Sequence, residues 1–306
     1  MSPEPAAGLV EMPPTDPDGT IHDIGYQHYT GPRLGRGYIR RSLFVESARG
    51  AYGLGRSGRS KIMPMLLFAA MCLPAIIIVV ATAVTGADEL VGSYPSYLVN
   101  LQLVVAIYVA GQAPASVSRD LRFGVMSLYF SRPIERIDYV VAKYAAMTTA
   151  IVVFIAAPLT ILFLGALVSG LPLGEQVPDY LRALAGALVV SFVLAGIGLV
   201  VAALTPRRGL GVGAVITVLL VLVGVQGAAL EVALAQEAEV LAGYLALISP
   251  FTLADGVQSH LLGAESTLLL AALGTSGGLV FLLVAGLITA VCFGSLVLRY
   301  RKVSVS

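Results

Sequence analysis

A chain of 306 residues, 57% apolar and only 12% charged, cannot clothe a soluble domain, whose surface takes about a quarter charged residues. Its apolar runs are too long to hide in one globular core, so a bilayer is the expected solvent. The net charge of +1 leaves no basic excess for a general nucleic-acid binder, and the two cysteines, Cys72 and Cys292, lie in apolar runs that suggest neither a disulfide framework nor a metal site.

Residues 1–32 read as a disordered tail rich in Pro, Asp and Glu; Met1 to Asp23 lacks the apolar core of a signal peptide. Residues 33–61 form a second unit, in which Arg33, Arg36, Arg40, Arg41, Arg49, Arg56, Arg59 and Lys61 interleave with Leu34, Tyr38, Ile39, Leu43, Phe44 and Val45. That pattern suits an amphipathic helix in the headgroup plane, or else a basic juxtamembrane linker. Residues 62–302 hold six runs long enough to span: Ile62–Val84, Tyr97–Ala115, Val140–Val168, Ala183–Leu204, Leu210–Leu230 and Gly278–Leu298. Each is expected to be helical, because a helix satisfies its own backbone in lipid and these runs lack the alternation of barrel strands. The expected fold class is therefore an all-α membrane protein with six transmembrane helices.

Eighteen of the nineteen Lys and Arg fall before span one, between spans two and three, after span four, or after span six. The positive-inside rule makes that side cytoplasmic, with both termini inside. Arg182 is the exception, at a helix end from which it can snorkel. The opposite side holds Asp88, Glu89, Glu175, Asp179, Glu231, Glu237, Glu239, Asp255 and Glu265. Between spans five and six, Val240–Ile248 and Thr267–Leu273 are too short to cross; they read equally as half-helices dipping into the outer leaflet or as an interfacial loop.

Two motifs mislead. Gly53 to Ser60 matches GxxxxG[KR]S, but Arg59 stands in place of the lysine and a membrane span follows at once. Gly274-Thr-Ser276-Gly-Gly278 matches GxSxG without the sheet that a nucleophile elbow needs. No catalytic residue is assigned.

The cytoplasmic stretch Ser116–Asp138 is longer than a hairpin requires. Val117, Leu121, Val125, Leu128 and Tyr129 recur at helical spacing, with Arg119, Asp120 and Arg122 off the stripe, and Ser131-Arg132-Pro133 breaks the pattern. This predicts a short amphipathic helix between two spans, a lever that could tilt both. The run Arg119-Asp-Leu-Arg-Phe-Gly-Val-Met126, then Leu128-Tyr-Phe-Ser-Arg-Pro-Ile134, then Asp138-Tyr139 and Lys143, resembles the type-2 ABC permease family. Tyr29-Thr-Gly-Pro-Arg-Leu-Gly-Arg36 resembles its actinobacterial members. Asp120 and Val125 depart from the commoner Glu and Thr of that family.

The resemblance implies that the segment is the coupling helix, that residues 33–61 hold the family's elbow helix, and that Leu247-Ile-Ser-Pro-Phe251 precedes the last span as in its relatives. It implies a bacterial cell-membrane export permease without an ATPase site of its own. The partners it implies are two copies of an ABC ATPase, which would bind ATP and Mg, a second identical or homologous permease chain, and membrane lipid. Arg119, Asp120 and Arg122 are then the expected polar contacts with the ATPase, Leu121, Phe123 and Met126 the apolar plug, and Gly124 a further residue of the coupling site. Some of these residues also suit lipid headgroups, Arg122 equally well.

Asn100, Gln102, Gln112 and Gln226 are the amides within spans. They suggest a weakly polar path for a hydrophobic or amphipathic cargo, with Asn100, Gln102 and Gln226 as its candidate lining, or else helix–helix glue. Gly196, Gly211, Gly213, Gly224, Gly227 and Gly286 would allow close helix contact, between chains or within one. A secondary transporter or channel needs intramembrane ionisable groups or an inverted repeat, and the spans show neither.

Overall fold

The computed structural model describes residues 31, 34–55, 57–122, 134–205, 207–264 and 274–302. The expected tail, apart from Gly31, and the expected piece Thr267–Leu273 lie outside these. The chain divides into Met1–Leu34 and Gly35–Ser306, and all ten described helices belong to the second unit. They are α1 (Arg36–Ala51), α2 (Arg59–Thr85), α3 (Tyr94–Asn100), α4 (Gln102–Arg122), α5 (Arg136–Val168), α6 (Leu173–Leu204), α7 (Arg208–Ala235), α8 (Glu239–Leu245), α9 (Pro250–Leu262) and α10 (Gly274–Lys302). No strand occurs among the described residues.

Five helices, α2, α5, α6, α7 and α10, are long and apolar enough to cross a bilayer. Two bent pairs raise the number to at most seven: α3 and α4 meet at 58°, α8 and α9 at 119°. The chain is thus an all-helical, multi-pass membrane protein. The run expected as a single second span is two helices, broken at Leu101 between the amides of Asn100 and Gln102. The start of α3 is set by Ser93, whose hydroxyl accepts from the Ser96 amide, with Pro95 in the first turn. Ser249 precedes Pro250 at the start of α9 without a side-chain cap, and Gly86 and Gly263 end α2 and α9 in the left-handed conformation that glycine adopts without a Cβ penalty.

α6 is the most buried long helix and stands at the centre, against α4, α5, α7, α9 and α10. α2 runs alongside α5 in the same direction, with Phe68 against Phe154 at 6.0 Å and Val79 against Gly165. A Cβ at Gly165 would overlap Val79, so the helices approach there because the residue has no side chain. Phe154 also stacks on Tyr108 of α4 at 4.1 Å.

The segment expected to hold an amphipathic helix contains α1, which lies alongside α5. Arg36 meets Glu135 and Asp138 before and within the first turn of α5, and just past the end of α1 the Tyr52 hydroxyl donates to the Ala150 carbonyl at 2.6 Å. Burial pushes the Tyr52 hydroxyl up to about 12, so it remains a neutral donor. The glycine-rich stretch between α1 and α2 is a tight turn. Gly53 sits at φ +69°, pressed on the Ser60–Lys61 backbone, and a helix rather than a strand precedes it.

Candidate functional site

The polar groups concentrate where α1, α4, α5 and α10 come together at one end of the bundle. α5 begins with a reciprocal cap: the Glu135 side chain accepts from the backbone of Asp138, and the Asp138 carboxylate accepts from the Glu135 amide at 3.2 Å. The same two carboxylates accept from Arg36, whose Nε lies 2.5 Å from Asp138 and Nη1 2.5 Å from Glu135. Asp138 first, then Glu135, raises the Arg36 guanidinium above its already high ordinary value, so it is charged at every physiological pH.

One turn further into α5, Lys143 is only 8% exposed. Its ammonium donates to the Ser116 carbonyl at 2.9 Å and pairs with Asp120 at 3.0 Å. The Tyr139 hydroxyl donates to the same Asp120 oxygen at 2.8 Å, and the Tyr139 ring meets Tyr300 of α10 edge-on at 5.0 Å. A polar cavity of about 60 Å³, roomy enough for water, lies beside this pair and is reached by Glu46, Ser47 and Gln112. A carboxylate and an ammonium this well buried persist because each satisfies the other.

Of the seven residues expected to contact an ATPase, Asp120 alone has a described side chain, and it turns inward to α5. Arg119, Leu121 and Arg122 occupy the last turn of α4, their side chains outside the described set; Phe123, Gly124 and Met126 lie outside the described residues altogether. The helix expected to begin near Ser116 is, through Arg122, a continuation of α4 without a break.

The expected path amides divide. Asn100 is exposed and Gln102 half-buried, flanking the break between α3 and α4. Gln226 of α7 is 5% exposed, and its amide nitrogen has no hydrogen-bond partner among the described residues. α7 packs against α4, with Gly211 beside Pro114.

The sequence did not reveal the polar row inside α9. Nine consecutive residues, Pro250 to Gln258, are buried, and Thr252, Asp255 and Gln258 stand on successive turns. Asp255 and Gln258 are each 2% exposed, so this acid lies buried within the bundle. The Thr252 hydroxyl donates to the Ala246 carbonyl at 2.7 Å, while the Gln258 carbonyl oxygen has no partner among the described residues. The Gln258 amide occupies the space that a Cβ on Gly186 would need, and Gly256 sits beneath the Phe281 ring. The available signal was the Ser-Pro start, the Gly263 stop and polar residues at three-residue spacing. A helix of 13 residues is too short to read as a span.

Among the described residues no group of His, Cys, Asp or Glu could hold a metal ion. No known family model matches this sequence, and no curated protein matches it.

Proposed function

We propose that this chain is the membrane subunit of an ATP-driven exporter of the type-2 ABC class, seated in the cell membrane with both termini in the cytoplasm. In this reading α3 and α4 are one broken span, because a 58° bend still carries the chain forward. α8 and α9, bent by 119° and with 7 and 13 residues, form a hairpin that returns to the side it left, since about 20 Å of helix cannot cross a core of about 30 Å. Six crossings result, and every Lys and Arg but Arg182 falls on the inner side.

The supporting observation is the Asp120–Lys143–Tyr139 cluster. It ties the last turn of α4 to the start of α5, so a force on the segment joining them loads both helices together. ATP closure in two partner ATPases, which bind the ATP and Mg, would push that segment in each of two permease chains and part the spans for a hydrophobic or amphipathic cargo. A second chain is supported by α7. Gly213, Thr217, Val221, Gly224 and Ala228 lie on one exposed face, a ridge low enough for a close helix contact in lipid.

The buried Asp255 favours a second reading, secondary transport without an ATPase, since carboxylates inside a bundle mark ion or proton paths. One reconstitution separates the two. With the co-purified ATPase in vesicles, ATP drives cargo uptake and an imposed pH gradient does not; replacing Phe123 and Gly124 together by Asp abolishes the coupling while the protein still inserts. Cargo-stimulated ATPase activity in that variant would refute the coupling assignment, and transport driven by the pH gradient alone would favour the second reading.

A further inference from the structure

The face of α1 turned away from the bundle is basic and apolar together. Leu43, Gly50 and Ala51 bury the inner face, while Tyr38, Arg41, Val45 and Arg49 recur at helical spacing on the other. A groove of about 550 Å³ runs along this face between Tyr38 and Leu54. A second groove, of about 220 Å³, lies between α1 and α5, floored by Phe44, Val141, Ala142 and Ala145, and Arg41 lines both. Arg36 is committed to Glu135 and Asp138, and Arg40 stands 3.9 Å from Asp138. Arg41 and Arg49 form no ion pair with any described residue, and Glu46 is the one carboxylate lining either groove. The wide groove therefore carries a net positive charge beside exposed Tyr38, Val45 and Leu54.

We propose that these grooves bind an anionic phospholipid of the surrounding bilayer, its phosphodiester held by Arg41 and Arg49 and an acyl chain lying along Phe44, Val141 and Ala145. Guanidinium groups suit a phosphate because their forked donors meet two of its oxygens at once. The apolar floor needs a chain beside that charge, which a lipid supplies and a free anion lacks. The site depends on the chain lying in a membrane and not on the exporter reading.

The full chain, purified in neutral detergent, is melted with added phosphatidylglycerol, phosphatidylcholine or inorganic phosphate. Phosphatidylglycerol raises Tm in a saturable way, and the other two do not. The paired replacement Arg41→Gln with Arg49→Gln weakens the apparent affinity about thirtyfold, the scale for losing two cations at an anionic surface, whereas Arg41→Lys with Arg49→Lys, which keeps the charge and loses the forked donors, weakens it less. An equal shift with phosphatidylcholine overturns the anionic site, and an equal shift with inorganic phosphate makes it a free-anion site and overturns the lipid. A glutamine pair that melts normally in phosphatidylcholine yet keeps the full response to phosphatidylglycerol overturns the assignment to these two arginines. The wild-type comparison decides the lipid question even if the glutamine pair does not fold.

Discussion

Lys143 shows how a single side chain acquires meaning from its surroundings. In the sequence it is a cation at the inner boundary of a span; in the fold it is the donor joining the Ser116 carbonyl to the Asp120 carboxylate. Removing one member of such a pair leaves the other charged and poorly solvated, which costs more than removing both. Lys143→Met should therefore destabilise the chain by about 3 kcal/mol, seen as a lowered Tm in micelles, and Asp120→Asn added to it should recover most of the loss. If the double variant melts no higher than the single one, the pair is not what holds α4 to α5. Neither partner could be assigned from the letters, because 23 positions separate them and only the crossing of the two helices brings them together.

At the scale of elements, α1 and α9 mark the two limits of sequence reading. The helical spacing of apolar groups between arginines in residues 33–61 predicts α1, and the helix lies within those bounds. Its direction along α5 does not follow from periodicity; it is set by Arg36 at one end and Tyr52 at the other. Arg36→Ala removes the first of these ties. Amide hydrogen exchange in α1 should then accelerate while that in the outer half of α5 stays unchanged; unchanged exchange in α1 would show that the Tyr52 end and the buried Leu43 suffice. α9 escaped because it is short and carries Thr252, Asp255 and Gln258, the composition of a solvated loop. Burial by α6 and α10 on both sides makes it an interior helix, and the glycines that admit it, Gly186 and Gly256, lie 70 positions apart.

For the whole molecule, the sidedness of the basic residues leads to a measurable topology. With Cys72 and Cys292 replaced by Ser, single cysteines at Ser42 and Arg301 should react with a membrane-impermeant maleimide from the cytoplasm only, and those at Asp88 and Glu237 from outside only. Labelling of Asp88→Cys and Ser42→Cys from the same face would sink both the six-crossing arrangement and the positive-inside assignment.

The all-helical, multi-pass character of the protein was legible in its letters, because a bilayer imposes one requirement, about 20 apolar residues satisfying their own backbone, and that requirement is local. The break at Leu101, the inward turn of Asp120, the course of α1 and the buried acid of α9 were decided only in three dimensions. Each rests on contacts between segments far apart in the chain, where the partner side chain, or a glycine that leaves room for it, determines the outcome.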